Sequence, residues 1–274
     1  MTQLNDAVVL ITGASGGFGQ ELTRQLLMAN SQLILTDLDR SVLQKQAEII
    51  QQQVTTGKVL ACLAADLSSR DGCENLYHQV KLLGIPVDIL INNAGIGLFG
   101  RMDEVPSEKW EQLMQVNLLA PMRLSTLFGA DMISRQKGHI VNISSIAGWS
   151  AAGGMAHYAS SKFGLRGFSE GLFNEVKDYN VKVTAVYPFF SRTPILKSAS
   201  YGTLAKEFDI FPKDLATDPA KVIQETIQGI ICNQLHVFPD RMAKNIHILK
   251  RYAPWLLDWI SKQYSRRLKS DTSQ

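Results

Sequence analysis

Apolar residues along this chain fall into two alternating rhythms. Short runs rich in β-branched residues occur at 7–12, 32–36, 59–64, 87–92, 139–144 and 181–187, with a last one at 236–238, and these read as buried strands. Helical spacing fills the intervals: Leu22, Leu26 and Leu27 share a face within 20–29, and Leu43, Ala47 and Ile50 share one within 41–53. Further helices are predicted over 70–83, 107–136 and 158–179. Strands alternating with helices imply right-handed βαβ crossovers and a parallel sheet covered on both faces. The expected fold is therefore α/β. A single Rossmann-type, doubly wound parallel sheet of about seven strands occupies residues 1–252, flanked by helices. A helical tail follows over 253–274. One irregular stretch, 189–218, combines Pro and Ser with aromatic residues, and an interruption of that length inside a compact domain marks a functional loop.

Composition narrows the class without naming it. The 274 residues are 45% hydrophobic and 19% charged, which suits one ordinary globular domain with a substantial core. The net charge of +3 is unevenly spread: residues from Arg241 onward hold eight Lys/Arg against two Asp/Glu, and the preceding 240 hold 20 against 23. Cys62, Cys73 and Cys232 have no paired or zinc-type spacing, so reduced thiols in a cytoplasmic protein are expected, with no metal site. The N-terminus runs directly into the first strand without a basic region and long apolar stretch, so no signal peptide is expected. No continuously apolar run reaches the ~20 residues needed to cross a bilayer.

Candidate chemistry begins at Thr12-Gly13-Ala14-Ser15-Gly16-Gly17-Phe18-Gly19, between the first strand and the first helix. Glycines here permit a tight turn and let backbone N–H groups approach a pyrophosphate at a helix N-terminus. Gly13, Ser15, Gly17, Phe18 and Gly19 are the candidate contacts. Asp37 ends the second strand, where a carboxylate accepts hydrogen bonds from ribose hydroxyls and repels a 2′-phosphate. NAD is therefore preferred, while Arg40 keeps NADP open. Farther on, Tyr158 and Lys162 lie four apart on a helix and point the same way. A phenol titrates near ~10, and a neighbouring ammonium is expected to lower that value.

Together these residues resemble the classical short-chain dehydrogenase/reductase family, over about residues 5–193. Residues 12–19 match the family's cofactor loop, and Asp66 stands where the family has an aspartate near the adenine. Asn92-Asn93-Ala94-Gly95 matches a motif that borders the cofactor, so Asn93, Ala94 and Gly95 are carried over as contacts. Asn117 falls at the position of a catalytic asparagine, Ser145 precedes Tyr158 by the usual interval, and Lys162 completes Tyr-x-x-x-Lys. The resemblance implies that Tyr158 exchanges a proton with an alcohol or carbonyl. It implies that Lys162 lowers the phenol pKa and binds the nicotinamide ribose, and that Ser145 donates to the substrate oxygen. Asn117 would hold a water linking Lys162 to solvent. Pro188 and Thr193 match the segment after the sixth strand, with Thr193 at the nicotinamide carboxamide. Phe189 replaces a glycine there and is expected to reshape the pocket. Ser144 is the competing donor to Ser145, and His157 is expected to face away from the site.

The segments that wall the pocket in this family here supply Ile96, Leu98, Phe99, Trp149, Met155, Phe189, Phe190, Ile195 and Leu196, with Tyr201, Leu204, Phe208, Ile210 and Phe211 in the loop. That lining implies a hydrophobic alcohol or ketone. A homodimer or homotetramer is expected from the family, with Leu113, Met114, Leu118, Leu124 and Phe128 facing either a partner or the sheet. The tail carries Trp255, Leu256, Trp259, Ile260 and Tyr264 with Lys262, Arg266, Arg267 and Lys269. Packing on the body is the preferred reading, and contact with an anionic membrane the other. The tail has no module for nucleic acid. A silent nucleotide-binding regulator or scaffold of the same fold is the alternative function; the joint presence of Asn117, Ser145, Tyr158 and Lys162 argues for the enzyme.

Overall fold

The computed structural model describes residues 1–204, 216–256 and 259. Seven strands form one parallel sheet in the order β3-β2-β1-β4-β6-β7-β9: β1 Val8–Thr12, β2 Gln32–Asp37, β3 Lys58–Ala64, β4 Ile89–Asn92, β6 Gly138–Ile143, β7 Val181–Val186 and β9 His236–Val237. Every pairing is parallel. Strand β1 shows why the runs read as continuously apolar. Val9 and Ile11 enter a core with helices α1 (Gly17–Met28), α2 (Arg40–Gln53) and α7 (Pro219–Ile231). Val8 and Leu10 enter a second core, on the opposite face, with α3 (Arg70–Leu82), α5 (Ala120–Ser134) and α6 (Ala156–Val176). Two-sided burial removes the polar alternation that a half-exposed strand would show.

The chain winds outward from β1 to β3, then returns to place β4 on the other side of β1. The crevice beyond the carboxyl ends of β1 and β4 is a topological switch point, where ligands of such sheets bind. The expected helix over 107–136 is interrupted: α4 (Ser107–Met114) passes through a π-helical turn, Gln115–Leu119, before α5. Pro121 accounts for part of this, because it has no N–H to give the Asn117 carbonyl four residues back. Leu113, Leu124 and Phe128 are buried within the single chain, so they cover its own core.

Three features were not expected. Helix α7 starts at Asp218, whose carboxylate accepts the Ala220 N–H, with Pro219 in its first turn. Helix α8 (Arg241–Tyr252) starts at Asp240, which accepts the Ala243 N–H at 2.8 Å. A two-residue parallel pair, β5 (Phe99–Gly100) with β8 (Ser200–Tyr201), ties the segment after β4 to the loop after β7. Phe208, Ile210, Phe211 and all of 253–274 except 253–256 and 259 lie outside the described residues.

Candidate active site

One cavity of about 990 Å³ runs across the switch point. At its nucleotide end, Gly13 has φ +64°, and a Cβ there would lie 2.7 Å from Ala94 Cα, so β1 and β4 can meet only through a glycine. Gly19 packs against the Gly13 carbonyl and Ala14 and, unlike the other loop glycines, does not line the cavity. Asn93 closes the junction: its side-chain amide donates to the Thr12 and Gly13 carbonyls at 2.9 and 3.0 Å. Asp37 reaches back from β2, accepting the Ser15 N–H at 2.9 Å, the Ser15 hydroxyl and, through its other oxygen, the Leu38 N–H at 2.8 Å. Asp66 is exposed at the same end, and hydrogen bonds from Ser68 hold its carboxyl below the usual carboxylate range. Ser15, Gly17, Phe18, Asp37, Asp66, Asn93, Ala94 and Gly95 all face this cavity. Glycines without Cβ atoms, a capped strand-end carboxylate and a helix N-terminus form a donor set that fits a dinucleotide.

The reactive groups lie at the cavity's centre. Tyr158 and Lys162 occupy the first turns of α6, which docks on the short helical turn Ile146–Gly148. A Cβ on Gly148 would lie 2.7 Å from the Lys162 carbonyl, which also accepts the Ser144 hydroxyl at 3.0 Å. Ser144 is thereby engaged by the backbone, while Ser145 stands beside the Tyr158 phenol and accepts the Ala147 N–H at 3.1 Å. The Lys162 ammonium is buried and donates to the Ile143 carbonyl at 3.0 Å. Its Nζ lies 5.6 Å from the centre of the Tyr158 ring.

The protonation balance differs from the expected one. Burial pushes the Tyr158 phenol up to about 12, opposed by hydrogen bonding from Ser145, and burial pulls Lys162 down to about 8. At the phenol, desolvation is the larger effect, so its net shift is upward. Asn117 is fully buried behind the cavity wall. Its side chain exchanges two hydrogen bonds with the Ile96 backbone, at 2.8 and 2.9 Å, and so is not the group free to take a water. His157 is buried and outside the lining, with no partner for either ring nitrogen among the described residues.

The remaining walls are mostly apolar: Ile96, Leu98, Phe99, Met155, Phe189, Phe190, Ile195 and Leu196 all contribute, as do Pro188 and Thr193. Trp149 does not line the cavity. Its ring packs among Tyr187, Phe238 and His247, at centroid distances of 5.8, 5.7 and 4.3 Å, and the Arg166 guanidinium lies 3.2 Å over its face. That cluster draws the indole to the back of the Ser145 turn. Tyr201 and Leu204 are likewise absent from the lining. Phe189 does not have a positive φ, so a side chain at the usual glycine position costs no backbone strain, and its N–H donates to Asp240 at 2.9 Å. Sequence reasoning missed Ile246 and Lys250, which reach the cavity from α8. The acidic cap at Asp240 followed by Ala243, Ile246 and Leu249 was the available signal.

A cavity that is glycine-lined at one end and apolar at the other, with a half-buried phenol and a buried ammonium between, defines an oxidoreductase that uses a nicotinamide dinucleotide. The short chain dehydrogenase family matches residues 7–202, and the chain belongs to that family. A human protein, epidermal retinol dehydrogenase 2, is 30% identical over 90% of this chain and 78% of its own. The 3-ketodihydrosphingosine reductase of Bos taurus is 35% identical over 89% and 68%, respectively. A solved metagenomic short-chain oxidoreductase in complex with NADP is 33% identical, with a TM-score of 0.64 over 68% of this chain and 84% of that one.

Proposed function

We propose that this oxidoreductase interconverts a secondary alcohol and a ketone, or an alcohol and an aldehyde, on a hydrophobic substrate, with Tyr158 as the general acid or base. The observation that carries this reading is the position of Tyr158: half-buried, beside Ser145, where the glycine-lined end of the cavity meets the apolar one. Relatives named for a retinol and for a ketodihydrosphingosine support the same substrate class.

The bound nicotinamide supplies or accepts the hydride. Gly13, Ser15, Gly17 and Phe18 would hold the dinucleotide's phosphates and Asp37 and Asp66 its adenosine half, while Asn93, Ala94, Gly95, Pro188 and Thr193 would border the nicotinamide half. Tyr158, neutral at physiological pH, gives its proton to the substrate oxygen during reduction. Ser145 donates to the same oxygen as charge develops there. Lys162, cationic below about 8, restores the proton to the phenol. Asn117 serves the proton path through its backbone carbonyl, which Pro121 leaves without the ordinary helical donor, while its side chain fixes Ile96. Asp37, already bonded to Ser15, favours a free ribose 2′-hydroxyl and hence NAD over NADP.

A cofactor-coupled absorbance screen of hydrophobic alcohols and ketones with both cofactors tests the reading. Turnover of medium-to-large apolar carbonyl compounds is expected, and Tyr158→Phe should abolish it while cofactor binding persists. Turnover confined to sugars and small polyols would overturn the substrate class, and an active Tyr158→Phe variant would overturn the mechanism.

A further inference from the structure

Helix α8 has two unlike faces. One turns Ile246 and Lys250 into the cavity lining. The other, continued past the break at Ala253, leaves Ile248, Tyr252, Trp255 and Trp259 at 52, 75, 70 and 56% exposure. Ile248 and Tyr252, four apart, share one side of α8, and Trp255 and Trp259, four apart, lie beyond its end at Ala253. Isolated exposed apolar side chains are unremarkable, but four large ones within twelve residues of chain mark a contact surface. Among the described residues these side chains remain exposed, although packing on the body is the usual fate of an amphipathic helix.

Charge identifies what covers them. Lys244 and Arg251 are exposed on the side of Ile248 and Tyr252, Lys250 is exposed at the cavity-facing edge, and Arg251 lies 5.7 Å from the centre of the Tyr252 ring. Lys250 and Arg251 have no ion-pair partner among the described residues. From Arg241 to the end of the chain the balance is eight Lys/Arg to two Asp/Glu, against an excess of acidic residues before it. Tryptophan and tyrosine interleaved with Lys and Arg suit the headgroup layer of an anionic bilayer, whereas the centre of a protein interface is depleted of lysine. No helix among the described residues is long and apolar enough to span a membrane, so the surface would be peripheral.

We propose that the exposed face of α8, together with Trp255 and Trp259, docks on the surface of an anionic lipid bilayer, with the α8 wall of the cavity turned toward the lipid. The acidic body is repelled by the same surface, which fixes the orientation. An apolar substrate then passes between bilayer and cavity along α8. The delivery step rests on the hydrophobic-substrate reading above; the docking does not.

Co-sedimentation of the full chain with phosphatidylglycerol/phosphatidylcholine vesicles tests the docking. Binding is expected with these vesicles, and it should be at least tenfold weaker with phosphatidylcholine alone, in high salt, or in the Trp255→Ser/Trp259→Ser variant. That variant should keep the activity of the parent on a water-soluble ketone. If no ketone is turned over, the substrate reading fails while the vesicle result stands. A parent chain that ignores the anionic vesicles, or a double variant that binds them equally well, would overturn the proposal. So would light scattering in which the parent is dimeric and the double variant monomeric without vesicle binding, since a second copy would then be the occupant.

Discussion

His139 makes the fold sensitive to acid in a way that can be calculated. It sits in β6, 1% exposed, with Nδ1 hydrogen-bonded to the Thr2 hydroxyl at 2.9 Å and Nε2 to the Thr184 hydroxyl at 2.8 Å. Burial, helped by the positive charge of Lys182, pulls its pKa from 6.5 down to about 3. The folded protein therefore keeps this ring neutral while the unfolded chain takes up a proton below 6.5, so stability falls as pH drops through that value. Between pH 7 and pH 5 the linkage relation gives a loss of about 2 kcal/mol from this one side chain. For a chain of this size that corresponds to roughly 5 °C in Tm. His157, His236 and His247 are also held below their usual range by burial, so the parent protein will lose more than this in total. The informative quantity is a difference. Thermal unfolding of the parent and of His139→Gln at pH 7 and pH 5 should show the variant losing about 2 kcal/mol less, whatever its starting stability. Equal pH slopes in the two proteins would refute the argument.

Three further outcomes follow from the site. Asp37→Ala should weaken NAD more than NADP, by roughly tenfold in the ratio of their KM values, because one charge-assisted hydrogen bond to the ribose is lost and one repulsion removed; the reverse ranking in steady-state assays would reassign the cofactor. Gly17→Ala puts a Cβ 2.7 Å from Thr193 Cγ2, so the loop after β7 must retreat. Overpacking of this kind costs about 1–3 kcal/mol, and it should appear as a fall of several degrees in Tm together with a roughly tenfold or greater rise in cofactor KM. The kcat/KM for reduction should be flat in mildly acidic to neutral buffer and fall as Lys162 loses its proton near about 8, whereas oxidation should gain as pH rises toward the phenol's value of about 12. Identical pH profiles in both directions would remove the assigned proton roles.

The strands were legible because burial on both faces leaves a continuous apolar run, and Gly13, Asp37 and Asn93 because each meets a backbone demand at a fixed distance along the chain. Helix α7 carried readable start signals in Asp218 and Pro219 and was overlooked beside the irregular stretch before it. Other features depend on partners remote in sequence. The β5–β8 pair joins Phe99 to Ser200 and is too short to show a period. Trp149 is drawn from the pocket by Arg166, Phe238 and His247, none of which its own neighbourhood announces. The tyrosine–lysine spacing revealed a pair of groups, but not their desolvation, which depends on how α6 seats against the Ser145 turn and reverses the expected direction of the phenol's shift.

Asp240 has a consequence for anyone who would alter specificity. One of its oxygens caps α8 and the other holds the Phe189 N–H, so a single carboxylate joins the segment after β7 to the helix that supplies Ile246 and Lys250. A graft of 189–218 that moved the backbone N–H at 189, or put proline there, would leave one Asp240 oxygen unpaired and loosen the joint to α8. A graft of 189–252 carries its own joint. The interchangeable unit of this enzyme is thus the whole stretch from Phe189 to Tyr252, roof and wall together.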